Sequence, residues 1–241
     1  KPFIAATAIL LLWVVASLFI VIPVHVSTIL ISVCLVYIGS YISIFTKKED
    51  QMSKNDAKMF PIIASGSLLS LYLAFKYFNE DVVKQLVFLY LVFVSSATLA
   101  GCFNLVLENH FPKVLYTFSM TWPWKFSTDI RLCDVIAYPL AFAFGILYYF
   151  TQHWAGNNLL GISIVIISLG YESIGSFKNG FILMAGLFLY DIFWVFGTEV
   201  MVKVATGVKG PIKFVFPKAL PAPNEYTREY YSMLGLGDVV V

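Results

Sequence analysis

Asp191 is an acidic residue near the middle of an apolar run that covers about residues 180–202. A charged side chain at the centre of a membrane segment costs about 2.5–3.5 kcal/mol on insertion. Such a residue either takes part in chemistry or forms a hydrogen bond with a neighbouring helix and has no catalytic role. Asp191 is therefore the first candidate for a functional residue.

Asp238 is the second candidate, and it directly follows Gly235, Leu236 and Gly237 near the start of another apolar run. Taken alone, it could be the acidic first residue of a helix, because aspartate is favoured at helix N-termini. The two glycines lack side chains, so a neighbouring helix or an extended peptide can approach the backbone closely. This motif predicts a crowded site beside the Asp238 carboxylate.

Two carboxylates on different membrane helices indicate one kind of chemistry if their oxygens converge. Like charges repel strongly in a medium of low dielectric, so the pair holds one shared proton. The ionised member takes a proton from a bound water, and the protonated member donates a hydrogen bond to a substrate carbonyl. Asp191 and Asp238 together predict the arrangement of an aspartic protease.

Other chemistries fit the sequence less well. The three histidines, His25, His110 and His153, are far apart and form no zinc-protease motif. The three cysteines are scattered among apolar runs and define neither a metal site nor a disulfide framework. A net charge of +2 is too small to indicate a nucleic-acid partner. We expect no metal and no cofactor.

The composition places these acids in a membrane protein. The chain has 241 residues, of which 59% are hydrophobic and only 12% are charged, whereas a soluble domain carries about 25% charged residues. A bilayer needs about 20 apolar residues per helix, and a backbone in lipid must satisfy its own hydrogen bonds. The fold class predicted is an all-α, polytopic transmembrane helix bundle. Seven runs and the start of an eighth cover about 4–22, 25–45, 60–78, 85–107, 132–151, 158–177, 180–202 and 232 onward.

The runs predict a single transmembrane domain over residues 1–241. The N-terminal helices cover about 4–151, and the catalytic-core helices cover about 158–241. Polar loops are expected at 46–59, 108–131 and 203–231. The run at 4–22 fits either one arm of a helical hairpin or a signal-like segment. The balance of basic residues between alternate loops gives no orientation.

Two motifs carry a resemblance to a known family. Tyr190-Asp191 followed by Gly235-Leu236-Gly237-Asp238 resembles the presenilin-type aspartyl proteases, whose signatures are Tyr-Asp and Gly-x-Gly-Asp on successive helices. The wider pattern, from about residue 25 to the end of the chain, is similar to signal peptide peptidase. The segments that carry this similarity are 60–65, 153–161, 187–198, 211–217 and 232–238.

This resemblance implies a nine-helix, multi-pass protein of the endoplasmic reticulum membrane. It implies an aspartic endopeptidase that cleaves remnant signal peptides and other type II membrane helices. Asp191 and Asp238 would be the catalytic pair, and Tyr190 would pack beside Asp191. Gly235, Leu236 and Gly237 would shape the active site and leave room for an extended substrate. Partners would be the lipid bilayer and helical substrates, with a homo-oligomer or the degradation machinery of the endoplasmic reticulum as further partners.

The sequence departs from the family pattern at its end. The family carries a Pro-Ala-Leu motif on its ninth helix, and this chain stops three residues after Asp238. We expect the chain to be truncated at both ends, with the C-terminal break inside the second catalytic helix. We also expect this fragment alone to be inactive in cleaving a signal-peptide substrate.

Two other functions remain open at this stage. Buried acids also relay protons or ions in transporters and channels, although a relay requires no Gly-x-Gly before its acid. A scaffold that binds membrane helices without cleaving them would use the same cleft without needing both acids.

Overall fold

The computed structural model describes residues 2–45, 52–110, 117–121, 127–171, 174–201, 204, 208–219 and 229–240. The chain is mostly helical within these ranges, with two short antiparallel hairpins. The helices are α1 Pro2–Ser17, α2 Val24–Phe45, α3 Lys54–Tyr77, α4 Glu80–His110, α5 Leu132–Thr151, α6 Trp154–Tyr171, α7 Phe177–Asp191 and α8 Gly237–Val240. A π-helical segment, Ile192–Phe196, continues α7, and the strands are β1 Thr117–Thr121, β2 Ser127–Arg131, β3 Lys213–Pro217 and β4 Tyr231–Gly235.

Six of the described helices are long and apolar enough to cross a membrane, which confirms the predicted polytopic helix bundle. They are α2 to α6 and the combined helix of α7 and the π-helical segment. The first apolar run is shorter than predicted, because α1 ends at Ser17. At a rise of 1.5 Å per residue it extends only about 24 Å, less than the hydrocarbon core of a bilayer.

Two further boundaries differ from the sequence prediction. Helix α3 begins at Lys54, inside the predicted loop 46–59, because Ser53 and Asp56 form a capping box at its N-terminus. The eighth run does not begin as a helix near residue 232. Strand β4 occupies Tyr231–Gly235, and α8 starts only at Gly237. The predicted loops 46–59, 108–131 and 203–231 lie partly outside the described residues.

The chain divides into two compact units. Unit 1 comprises Lys1–Tyr41, Leu91–Gly170 and Pro211–Val241, and unit 2 comprises Ile42–Tyr90 and Tyr171–Gly210. Unit 1 therefore contains the β3–β4 hairpin and Asp238, whereas unit 2 contains α3, α7 and Asp191. Each unit is described by itself below.

Unit 1 is built around the β3–β4 hairpin. The side chains of Phe214, Val215 and Phe216 on β3 are almost fully buried. Trp13 of α1 packs its ring edge-on against Phe216, with 5.9 Å between ring centroids, and donates a hydrogen bond of 3.2 Å to Ser27 of α2. The N-terminal helix thus covers one side of the hairpin.

Unit 2 is held by the contact between α3 and α7. A Cβ atom added to Gly186 would lie 2.6 Å from Cγ of Pro61, so only glycine permits this approach of the two helices. At the other end of α7, the Asn179 side chain donates a hydrogen bond of 2.7 Å to the carbonyl of Met52. Gly186 therefore allows α3 and α7 to pack closely at this point.

Candidate active site

Asp191 is the last residue of α7, at the point where the α-helix changes to the π-helical segment Ile192–Phe196. Gly197 closes this segment by donating its backbone N–H to the carbonyl of Ile192, a bond that spans five residues. Single π-turns inside α-helices occur often at functional sites. Asp191 is exposed on unit 2.

The helix is anchored to α3 on both sides of Asp191. Gly186 lies against Pro61 before it, and after it the indole Nε1 of Trp194 donates a hydrogen bond of 2.9 Å to the hydroxyl of Ser65. Trp194 is buried, unlike its neighbours in the π-helical segment. These two contacts fix the rotation of the helix that carries Asp191. Tyr190 is half-buried beside it.

Asp238 follows the β3–β4 hairpin and lies in the first turn of α8. The two strands pair in an antiparallel register in which Lys213 is opposite Gly235 and Pro217 is opposite Tyr231. Beyond the strand, Leu236 donates its N–H to the carbonyl of Ile212 at 3.1 Å and continues the ladder. The hairpin therefore sets the position of the residue just before Gly237 and Asp238.

The two glycines of the motif have different surroundings. A Cβ atom at Gly235 would lie 3.2 Å from Oδ2 of Asp238, whereas a Cβ atom at Gly237 would meet nothing within 4 Å. Leu236 between them is buried, with its Cδ2 next to the position of a Cβ on Gly161 of α6. Gly235 thus leaves room for the carboxylate, and Gly237 borders open space.

Two buried residues near this motif were missed by the sequence analysis. Asn157 and Asn158 of α6 are almost completely buried, and their amides bind the backbone of β3. The signal was present in the sequence, because two adjacent amides in an apolar run are costly unless they have partners. Because an amide carries no charge, it is less conspicuous in an apolar run than an acid such as Asp191.

Among the residues that the structure describes, no hydrogen bond or ion pair joins the side chain of Asp191 or of Asp238 to another group. Within the same residues no group of three His, Cys, Asp or Glu side chains could hold a metal ion. The motif Gly235, Leu236, Gly237 and Asp238 is assembled within unit 1, and Tyr190 and Asp191 lie in unit 2. The convergence of the two carboxylates stays a prediction.

Comparison with known proteins gives the class of protein. A sequence model of the family described as signal peptide peptidase matches residues 44–241. Signal peptide peptidase of Mus musculus and that of Homo sapiens are each 35% identical over 211 residues, covering 80% of this chain and 53% of the relative. Intramembrane protease 2 of Caenorhabditis elegans is 40% identical over 118 residues, 49% of this chain and 25% of that protein.

The chain belongs to the signal peptide peptidase family, and it is a multi-pass membrane protein. It spans about half the length of the mouse and human relatives it matches. No solved structure matches the chain. Helix α1 and nearly all of α2 lie before the segment that the family model matches.

Proposed function

We propose that this protein is an intramembrane aspartyl endopeptidase and that Asp191 and Asp238 are its catalytic pair. The observation that carries the proposal is Asp238, an exposed residue whose side chain has no described partner. It lies three residues after a hairpin whose first strand is mostly buried and whose two strands pair along five residues each. Such order around a free acid is expected where the acid must be held in position for a substrate. Membership of the signal peptide peptidase family supports the same assignment.

The chemistry follows from two acids that meet in an environment of low dielectric. One proton is shared between them, because two adjacent negative charges would repel. The ionised carboxylate removes a proton from a bound water while that water attacks the substrate carbonyl. The protonated carboxyl donates a hydrogen bond to the oxygen of that carbonyl, and the carboxyl that took the proton from water then donates it to the leaving nitrogen. Neither step requires a metal.

The substrates in this proposal are peptide bonds within membrane helices, with remnant signal peptides and type II proteins as the leading class. The names of the mouse and human relatives support that class. We propose the endoplasmic reticulum membrane as the location, as the resemblance of the sequence implies. A helical peptide bond is shielded, so the substrate must unwind before attack. Strand β4 ends the two-stranded sheet in the described part of the chain, and an extended substrate can pair with its edge.

We propose that Tyr190 packs beside Asp191 and helps to orient it, and that Gly235, Leu236 and Gly237 shape the substrate site. Residues 1–241 would contribute one transmembrane domain to the enzyme. A homo-oligomer and the degradation machinery of the endoplasmic reticulum are the proposed protein partners.

The test uses the natural full-length protein, purified in detergent, and a signal-peptide substrate. Asp191→Asn and Asp238→Asn keep the shape of each side chain, and each is expected to abolish cleavage while the thermal unfolding temperature is retained. Glu199→Gln, an acid-to-amide change at another residue of unit 2, serves as the matched control and should cleave normally. If either aspartate variant cleaves at the wild-type rate, the catalytic assignment is wrong.

A second measurement separates the enzyme from a scaffold that only binds helices. A transition-state analogue of aspartic proteases should bind the wild-type protein and lose most of its affinity for both aspartate variants. Substrate helices that bind both variants as well as the wild type, with no cleavage by the wild type, would favour the scaffold. Ion flux through reconstituted vesicles would favour the transporter.

A further inference from the structure

The asparagine pair on α6 is bound to the outer edge of β3. Asn158 donates from Nδ2 to the carbonyl of Val215 at 2.8 Å, and its Oδ1 accepts the N–H of the same residue at 2.8 Å. Asn157 donates from Nδ2 to the carbonyl of Lys213 at 2.7 Å. Both asparagines are almost completely buried, with exposed fractions of 0% and 1%.

These bonds reproduce the pairing that another strand would provide. In an antiparallel sheet, a hydrogen-bonded pair of residues exchanges two N–H to O=C bonds. A carboxamide carries one acceptor and two donor hydrogens without a net charge. Asn158 therefore takes the place of a partner residue opposite Val215. In a lipid environment this matters, because an unpaired backbone group there is costly.

The register shows which edge is closed. On the inner side, Lys218 donates its N–H to Tyr230, and Leu236 donates its N–H to Ile212. Backbone groups alternate in direction along a strand, so those of Val215 face α6. On β4 the groups of Met233 and Gly235 face away from β3, opposite Val215 and Lys213 in the register. One edge of the hairpin is thus occupied by α6, and the other belongs to β4.

The remaining contacts of α6 extend along the whole hairpin. Trp154, one turn before the asparagines, forms a buried cluster with Val215 and Tyr231. Gly161, one turn after them, comes so close to Phe214 and Leu236 that an added Cβ would lie 3.1 and 3.3 Å from their side chains. A single face of α6 therefore contacts both strands and the residue just before Gly237.

A second helix orients the pair. The hydroxyl of Tyr148 on α5 donates a hydrogen bond of 3.0 Å to Oδ1 of Asn157. With its oxygen engaged by Tyr148, the amide of Asn157 presents its nitrogen to Lys213. The bond is buried, and this arrangement fixes which end of the amide faces the strand.

We propose that Asn157 and Asn158 are positioning residues for Asp238. By completing the outer edge of β3, they fix the position of the hairpin along α6. The hairpin in turn fixes the positions of Gly235 and of the Asp238 carboxylate. A substrate strand can then join only at β4, in a register that the asparagines set. This inference rests on the proposed protease function, although the effect of the two asparagines on the β3–β4 hairpin can be measured without any cleavage.

The first test replaces the amide with an apolar side chain of similar size. Asn158→Leu removes the two groups that bind Val215, the amide nitrogen and the amide oxygen, while it fills a similar volume. Ser163→Ala is the matched control, since Ser163 is also a buried polar residue of α6, but its hydroxyl contacts Thr98 of α4 at 3.0 Å. Hydrogen exchange of peptides from 211–218 and 229–240, measured on the full-length protein in detergent, should accelerate for Asn158→Leu and not for Ser163→Ala.

The kinetic expectation separates positioning from general stability. Asn158→Leu should lower kcat by about 10- to 100-fold, as expected when a catalytic group is displaced by about 1 Å. KM should change less, and cleavage should spread to neighbouring bonds of the substrate because the register is no longer fixed. Ser163→Ala should keep the wild-type kcat and cleavage site at a temperature where both proteins are folded.

The second variant, Asn158→Asp, tests the positioning role of Asn158 even if Asn158→Leu does not yield folded protein. A protonated carboxyl offers one donor and one acceptor and restores both bonds to Val215, whereas an ionised carboxylate can only accept. Burial favours the protonated form. Hairpin protection and kcat, each as a ratio to wild type at the same pH, should therefore fall as pH rises from about 5 to about 8. Nearby titratable groups, Lys213, Tyr148 and Tyr231 among them, are present in both proteins and cancel in the ratio.

The outcomes distinguish this inference from the proposed function. If the Asp191 and Asp238 variants are inactive but both Asn158 variants show wild-type exchange, kcat and cleavage site, the positioning role is wrong and the protease assignment stands. If the wild-type protein cleaves nothing, the protease assignment fails. The exchange data then still show whether the asparagines hold the hairpin.

Discussion

The two proposed catalytic acids are carried by regions that differ in how firmly they are packed. Asp238 follows a hairpin whose central residues are almost fully buried and whose outer edge is bound to α6. Asp191 ends α7, none of whose residues is buried. The share of buried residues is 50% in the α6 segment and 11% in the segment of α7 and the π-helical turn. The difference indicates that burial of apolar side chains holds the region before Asp238, whereas a few specific contacts with α3 hold the helix that carries Asp191.

The largest effect is expected from opening the core under the hairpin. Phe214→Ala removes a side chain with an exposed fraction of 0% and should lower the free energy of unfolding by about 3–5 kcal/mol. Leu189→Ala on α7 is the control, because Leu189 is 65% exposed and should cost little. Thermal unfolding in detergent measures both. Equal losses would contradict the contrast between the two regions.

The two glycines before Asp238 allow a direct test of how firmly its carboxylate is held in unit 1. Gly235→Ala places a methyl group 3.2 Å from Oδ2 of Asp238 and should displace the carboxylate by a few tenths of an ångström, lowering kcat by about 10-fold. Gly237→Ala meets nothing within 4 Å and should leave kcat near wild type, with its effect confined to KM. The kcat and KM of both variants are measured by steady-state cleavage of a signal-peptide substrate. A larger loss of kcat for Gly237→Ala would mean that the carboxylate is not held in this position.

A smaller effect is expected on the Asp191 side. Trp194→Phe removes the donor that bonds to Ser65 and keeps an aromatic ring in place. In a double-mutant cycle with Ser65→Ala, the coupling energy should be about 0.6 kcal/mol, the average for hydrogen bonds between membrane helices. Reversible unfolding in mixed micelles gives the four free energies. A coupling of zero would show that this bond does not hold the helix.

The smallest effect concerns His153, which caps α6 through its Nδ1, the acceptor for the N–H of Ala155. Partial desolvation lowers the pKa of His153. The folded protein therefore binds this proton more weakly than the unfolded chain does, so the contribution to stability is complete above about pH 6.5. It declines as the pH falls through the lowered pKa. Because the side chain is largely exposed, the loss should stay below about 0.5 kcal/mol.

The control for this effect is His153→Asn. Asparagine also caps a helix through a side-chain oxygen but does not titrate. The difference in unfolding free energy between the wild type and this variant should change between pH 8 and about pH 5, the range in which histidine gains its proton. A difference that stays constant over this range would contradict the proposed cap.

The helices were predictable because a membrane imposes a length and an apolar composition on each span. The predicted run at 132–151 coincides with α5, and Asp191 and Asp238 were found because an acid in such a run is conspicuous. The β3–β4 hairpin was not predicted. Its five-residue strands are too short for a periodic signal, and β4 continues into an apolar run that suggests a helix. Strand geometry there depends on distant partners, Asn157 and Asn158, which local sequence does not reveal.

The hydrogen bonds between Asn158 and the backbone of Val215 also affect aggregation between copies of this protein. An exposed strand edge can recruit a second chain and start lateral aggregation. A side-chain amide satisfies Val215 but has no continuing backbone, so no further chain can be added behind it. A further strand can therefore pair with the hairpin only at β4. Because the β3 edge is closed, the hairpin cannot propagate a continuous sheet through several chains. In this way the hairpin keeps one strand edge available for an extended substrate while its other edge is closed to backbone pairing.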